Sequence, residues 1–372
     1  MLIGVPKEIK NEEFRVGLTP GTVRTLVQRG HSIIVETNAA HMIGIDDAEY
    51  QAAGASIAGG PNEVFTQADM IIKVKELQAS EFSLLRENQI LFTYLHLAPD
   101  PAQTQALINS GCVAIAYETV TDEHGGLPLL APMSEVAGRM AVQAGANCLE
   151  ISRGGRGMLL GGVPGVQPGK VVVIGGGVVG TNSVFVAKGF GASVTVIDSS
   201  LKRLSKLDFL YQSALTTLYS TSDTIENEVL SADLVIGAVL LPGAETPKLV
   251  SREMVSSMRR GSVIVDVAID QGGCCETSRV TTHSDPTYLI DDVVHYCVGN
   301  MPGAVARTST FALNNATLPF IAQVAEMGYL EAMRANPHLL AGLNAYHGQL
   351  TYAAVAEAQG RDHVPAIEAL AS

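Results

Sequence analysis

Lys170-Val171-Val172-Val173-Ile174-Gly175-Gly176-Gly177-Val178-Val179-Gly180 decides how this chain is read. The first five residues form an unbroken, largely β-branched apolar run, the pattern of a strand covered on both faces. Gly175-x-Gly177-x-x-Gly180 follows at once, Thr181 to Phe190 reads as a helix, and Gly191 ends it. The next apolar run, Ser193 to Ile197, closes on Asp198, near the spacing of about 20 residues at which a dinucleotide fingerprint carries its acidic residue. In that context each glycine has a task. Gly175 allows the tight turn, Gly177 lets backbone amides approach a pyrophosphate at the helix N-terminus, and Gly180 allows close helix-strand packing. Asp198 would accept hydrogen bonds from the adenosine ribose and repel a 2′-phosphate, which favours NAD over NADP. Lys202 and Arg203 lie near enough to soften that preference without reversing it.

Outward from this motif, Leu215 to Tyr219, Leu234 to Val239 and Val263 to Ile269 continue a doubly wound pattern to about Val298. On the N-terminal side, strands are predicted at Ser32–Glu36, Met70–Lys75, Ile90–His96 and Val113–Tyr117, with a helix from Pro101 to Asn109 capped by Asp100. That alternation implies a mostly parallel sheet. An Ala-rich helical stretch from Ser134 to about Ile151 and a long helix from Thr308 to Met327 flank the second pattern. With 372 residues, the expectation is two doubly wound α/β domains joined by long helices. A Rossmann NAD-binding domain would span 131–307, and a discontinuous Rossmann-like substrate domain would span 1–130 and 308–372.

Hydrophobic residues at 47% against 16% charged ones exclude a disordered chain. A net charge of −13 with no basic patch argues against nucleic acid and anionic lipid as partners. No apolar run approaches the roughly 18 to 20 residues of a membrane helix. Lys7, Glu8 and Lys10 stand where a signal peptide needs apolar residues, so a cytoplasmic location is expected. The five cysteines are odd in number and lack C-x-x-C spacing, which indicates reduced thiols rather than a disulfide framework or a zinc site.

An enzyme built on this frame needs groups that anchor a substrate and move protons where strands end. Lys73 and Lys75 are predicted on one face of one strand, with Lys75 at its end, placed to polarise a carbonyl; a solvated edge-strand lysine is the bland reading. His96 ends another strand and suits acid/base work, although a lone histidine is more often structural. Arg15 offers a bidentate clamp for a carboxylate, or else a surface ion pair with Glu12 or Glu13. Asp270 closes the run from Val263, whereas Asp266 within it reads as a structural buried acid. A guanidinium, an ammonium, an imidazole and a carboxylate together suit a small 2-oxo or 2-amino acid.

Ile3-Gly4-Val5-Pro6-Lys7-Glu8, Phe14-Arg15-Val16, Lys73-Val74-Lys75-Glu76, Tyr94-Leu95-His96-Leu97-Ala98, Pro132 to Gly138, Gly161 to Val166 and Val265 to Gly273 carry a resemblance that runs nearly end to end. By these motifs the chain resembles the bacterial L-alanine dehydrogenases. The resemblance implies reversible oxidative deamination of L-alanine by NAD to pyruvate and ammonium, in a homohexamer. It implies that Arg15 holds the substrate carboxylate, Lys75 the keto oxygen or amine, that His96 is the acid/base, and that Asp270 orients substrate and assists proton transfer. It also implies NAD contacts at Ser134, Val178, Asp198, Arg203, Ser220, Val239, Leu240, Val267, Ala268, Ile269, Asp270, Arg279 and Val298-Gly299-Asn300-Met301. Relatives that hold a metal use a glutamate matching Glu118 and a histidine where this chain has Met327, so no metal site is carried over. The alternatives are the nucleotide-binding subunit of proton-translocating transhydrogenase, which comes with membrane helices, a saccharopine or opine type of dehydrogenase with a larger pocket, and an NAD-sensing module without catalysis.

Overall fold

A computed structural model describes residues 1–239 and 246–371. Two units divide the chain, Met1–Met133 with Val305–Ser372, and Ser134–Ala304. The first carries β1 (Leu2–Val5), β2 (Ser32–Glu36), β3 (Ser56–Ala58), β4 (Met70–Ile72), β5 (Ile90–Thr93) and β6 (Val113–Ala116). The second carries β7 (Lys170–Ile174), β8 (Ser193–Asp198), β9 (Thr216–Tyr219), β10 (Leu234–Gly237), β11 (Val263–Asp266), β12 (Thr287–Ile290) and β13 (Val293–Tyr296). The chain then returns to the first unit through β14 (Leu343–Tyr346) and β15 (Gln349–Leu350).

Among the described residues the first sheet runs β15-β14-β6-β5-β4-β1-β2-β3 and the second β12-β13-β11-β10-β7-β8-β9. Counted from β1, the first sheet follows the doubly wound order 3-2-1-4-5-6, and the second repeats it from β7 with β13 in the sixth place and β12 outside it. The pairings from β3 to β6 and from β9 to β13 through β11 are parallel; β14, β15 and β12 join antiparallel at the edges. The unbroken apolar runs have a direct cause. Val171 and Val173 enter one core while Val172 and Ile174 enter another on the opposite face, and Met70 and Ile72 are separated from Ile71 in the same way. Each strand is buried on both sides, so no polar face interrupts it.

Three strands stop three residues before their predicted ends, for one shared reason: a carboxylate takes the amides that the ladder would have used. Glu8 accepts from Val74 N at 2.6 Å and Lys75 N at 3.3 Å, so β4 stops at Ile72. Glu118 accepts from the amides of Leu95 and His96, and β5 stops at Thr93. Asp266 caps its own turn through Ala268 N, so Val267–Gln271 is a 3-10 turn rather than a continuation of β11. The flanking helices are Ala131–Cys148 and Ala306–Met327.

Candidate active site

In the second unit the strand order reverses between β7 and β10, the crevice in which such sheets bind ligands. Gly175 has φ +98°, and a β-carbon there would sit 2.7 Å from the Ala238 carbonyl oxygen, so the turn presses against the end of β10. A β-carbon on Gly180 would be driven into the Gly175 carbonyl. Gly177 differs. A β-carbon there would meet no atom within 4 Å, and the helix Val178–Gly189 that it opens has no side-chain cap. Its bareness is not required by the fold, and it leaves the helix N-terminus open to a phosphate.

Asp198 is buried. Its Oδ2 accepts from Gly176 N at 2.7 Å and pairs with Arg203 Nη1 at 3.2 Å, and its Oδ1 accepts from Ser200 N at 2.7 Å. Ser220 N donates to the Asp198 carbonyl, and Val178 is exposed at the helix start. The fingerprint loop, Asp198, Arg203, Ser220 and Val239 thus gather around the ends of β7, β8 and β10. Ser134 lies one turn before Gly138, whose missing side chain lets its helix meet the Val179 carbonyl. Leu240 lies outside the described residues.

Past β11, Val267 is half-buried, Ala268 and Ile269 are buried and Asp270 is exposed. Gly299 lies against Asp270, with a β-carbon position 3.3 Å from Oδ1. Val298 and Met301 are buried, and Asn300 adopts φ +61°. Arg279 stands apart on Tyr288, its guanidinium 4.1 Å from the ring centroid and its amide donating to the Tyr288 hydroxyl. Asp266, Cys274 and Cys275 bring donor atoms within 4.8 Å of one another, an arrangement able to hold a metal. Asp266 is however occupied by the amides of Ala268, Cys274 and Cys275 and the Ser278 hydroxyl. The Cys275 thiol and burial push the Cys274 thiol well above its ordinary range, which suits neutral, packed cysteines. All five cysteines are free and buried.

In the first unit the polar groups follow β1, β4, β5 and β6, also at the reversal of strand order. Arg15 is buried, donating from Nε and Nη2 to the two Glu13 oxygens at 2.7 and 2.5 Å, with Nη1 3.1 Å from Met133 Sδ. The pairing with Glu13 is therefore internal, not the surface pair that the bland reading offered. Lys73 and Lys75 do not share a strand, because both lie beyond Ile72. Lys73 is fully buried between Glu8 and Glu81, at 3.0 and 2.9 Å. Burial alone would push its ammonium down, but the two carboxylates outweigh that and hold it above the usual lysine range. Lys75 is half-buried. It is also felt by Glu76, whose carboxyl burial would raise but Lys75 and Lys10 hold below its ordinary value.

His96 has φ +48° and a side chain 45% exposed. Its ring lies parallel to Tyr94, with centroids 5.8 Å apart and planes at 8°, and the Tyr94 hydroxyl donates to the Leu129 carbonyl at 2.5 Å. The sequence reading missed Glu8, Tyr94 and Tyr288 as supports of these groups, and offered the Glu13 pair only as a surface contact.

Two doubly wound sheets, one with a dinucleotide crevice and one with acid/base and cationic side chains at its strand ends, define a nicotinamide-dependent oxidoreductase. Two family models match in tandem, the alanine dehydrogenase/PNT N-terminal domain over residues 4–137 and the C-terminal domain over 141–353. The chain is 57% identical over 366 residues to an alanine dehydrogenase of Halomonas elongata, covering 98% of this chain and 99% of that one. It is 56% identical over 371 residues to an alanine dehydrogenase of Methanococcus maripaludis, covering both in full. A solved L-alanine dehydrogenase superposes with a TM-score of 0.94 at 51% identity, over 97% of this chain and 99% of that one. A transhydrogenase from Sinorhizobium meliloti shares the fold, with a TM-score of 0.82 at 24% identity over 95% of this chain and 100% of that one. The chain belongs to the alanine dehydrogenase family, as an NAD-dependent oxidoreductase that interconverts L-alanine and pyruvate. Among the described residues no helix is long and apolar enough to cross a membrane.

Proposed function

We propose that the reaction is carried by Arg15, Lys75, His96 and Asp270 and that the NAD site comprises Gly175, Gly177, Gly180, Asp198 and Arg203 with the residues around Ser134, Ser220, Val239, Val267–Asp270, Arg279 and Val298–Met301. What supports this most is position: Arg15, Lys75 and His96 follow β1, β4 and β5, neighbouring strands at the reversal of one sheet. The open helix N-terminus at Gly177 and the buried Asp198 fit a dinucleotide. When bound, NAD supplies the hydride acceptor.

Arg15 holds the alanine carboxylate, with Glu13 fixing the guanidinium plane. Loss of hydride from the substrate leaves an iminium carbon. His96 takes a proton from the water that attacks that carbon, forming the carbinolamine, gives that proton to the nitrogen, and takes the carbinolamine hydroxyl proton as the C–N bond breaks, ammonia departs and the ketone forms. Lys75 stabilises charge on the oxygen, and Asp270 orients the substrate and assists the proton transfers.

The test is NADH formation with L-alanine, followed for the wild type and for His96→Ala. We expect kcat to fall by about 10²- to 10⁴-fold with NADH affinity nearly unchanged. A destabilised but fully active His96→Ala protein would overturn the assignment. We further infer a cytoplasmic homohexamer. The family resemblance supports it, as do five free buried thiols and exposed Leu159, Phe185, Phe190 and Phe209 on the second unit. Sedimentation at a mass other than six times 39.1 kDa would refute the assembly.

A further inference from the structure

We propose that Glu118 is a positioning residue for the reaction: its carboxylate holds the backbone of His96 in the conformation that presents the imidazole. The proposal rests on the reading of His96 as the acid/base. β5 and β6 pair in parallel with Thr93 opposite Ala116, so the residues just beyond the two strands stay side by side. Glu118 sits in the 3-10 turn Tyr117–Thr119 that follows β6. Its Oε1 accepts from His96 N at 2.6 Å and from Leu95 N at 3.1 Å, and Oε2 accepts from Leu95 N at 3.2 Å. The same Oε1 lies 3.8 Å from His96 Nδ1.

Each of these bonds has a charged acceptor, which makes it stronger than a neutral amide bond. They are needed because His96 has φ +48°, a left-handed conformation that a residue with a β-carbon rarely holds without support. With the backbone turned this way the ring lies flat beside Tyr94, which is itself tied to Leu129. His96 is half-exposed and has little packing of its own, so the carboxylate on its amide and the Tyr94 ring are what set its direction. Glutamine keeps the shape but weakens the hold. Its single oxygen is neutral, and its NH2 group, in the place of Oε2, sets a donor against the Leu95 N–H.

Glu118→Gln, His96→Ala and the double variant are compared as full-length enzyme for kcat, KM for L-alanine, NADH affinity and Tm, with amide hydrogen exchange at Leu95 and His96. A group misplaced by about 1 Å loses on the order of 10²-fold in rate, so kcat of Glu118→Gln should drop by roughly 10- to 100-fold. The alanine KM and NADH affinity should stay within about threefold, since their binding groups are untouched. In the His96→Ala background Glu118→Gln should cost no further rate, because it acts only through His96. A kcat within about twofold of wild type, or losses that simply add, would overturn the proposal. If Glu118→Gln does not fold, Glu118→Asp, which keeps the charge but shortens the reach, must show the same fall in kcat at unchanged NADH affinity. A fully active His96→Ala enzyme removes the acid/base reading. The exchange arm still stands alone: amides of Leu95 and His96 as protected in Glu118→Gln as in wild type would show that Glu118 does not set this strand end.

Discussion

The two units repeat one strand order and equip its crevice in opposite ways. Beyond β1, β4, β5 and β6 the first unit sets charged side chains in buried pairs: Lys73 between Glu8 and Glu81, and Glu13 with Arg15. Beyond β7, β8, β10 and β11 the second unit sets glycines and bare amides, and its buried acids Asp198 and Asp266 are spent mainly on backbone N–H groups. A pyrophosphate can be recognised by backbone alone, so that site needs space more than side chains. A small amino acid offers only a carboxylate and an amine, so its site needs charges, and each charge taken from water needs a partner.

Lys73→Met should break this contrast most visibly. It leaves Glu8 and Glu81 buried without their cation, and removing one member of such a cluster typically costs about 3–5 kcal/mol. Arg203→Ala in the second unit removes a half-exposed partner of Asp198, where about 1 kcal/mol or less is at stake. Urea denaturation followed by circular dichroism would measure both. A loss below about 1 kcal/mol for Lys73→Met would mean that the first unit does not depend on its buried charges.

Two glycine substitutions sharpen the other side. Gly180→Ala forces a β-carbon onto the Gly175 carbonyl, so both thermal midpoint and NADH affinity should fall. Gly177→Ala meets nothing and keeps an ordinary φ of −70°, so the midpoint should hold while the dissociation constant for NADH rises about tenfold, roughly 1.4 kcal/mol. Equal effects of the two on stability would erase the distinction between a glycine required by packing and one required by the ligand. Asp198→Ala should act more weakly, narrowing the preference for NAD over NADP and raising the NADH dissociation constant a few-fold, since the Gly176 and Ser200 amides lose their acceptor. A wild type that uses NADP as well as NAD would remove this role from Asp198.

The same contrast explains what was legible in the sequence. The nucleotide crevice was readable because its parts are local: strand, glycines, helix and the acid after the next strand lie within one short stretch, and spacing encodes their geometry. The substrate side was legible only as residue types. That Glu8 would stop β4, or Glu118 β5, depends on carboxylates brought from 66 and 22 residues away, which no periodicity records. The strand ends misread in the sequence, at Lys75, His96 and Ile269, are the places where a side-chain carboxylate replaces the ladder. Strand interiors, buried on both faces, carried their own signal.

The smallest effect expected concerns His295 in β13, a buried imidazole of the second unit with no ion-pair partner among the described residues. Its Nδ1 lies 3.0 Å from the Val293 carbonyl and must donate to it, so Nε2, 2.8 Å from Thr277 Oγ1, accepts from that hydroxyl in the neutral ring. Burial holds the imidazole below its ordinary pKa. The unfolded chain takes up a proton near pH 6.5 while the folded one resists it. The contribution of His295 is therefore complete above about pH 6.5 and is lost as pH falls from there toward the lower folded value. One proton limits the slope to about 1.4 kcal/mol per pH unit. His295→Gln keeps a donor and an acceptor but cannot titrate, so denaturation between pH 7 and pH 5 should be flatter for the variant than for the wild type. Carboxylates of the first unit contribute equally to both proteins and cancel in the difference. Identical slopes would mean that burial does not keep His295 neutral in the folded second unit.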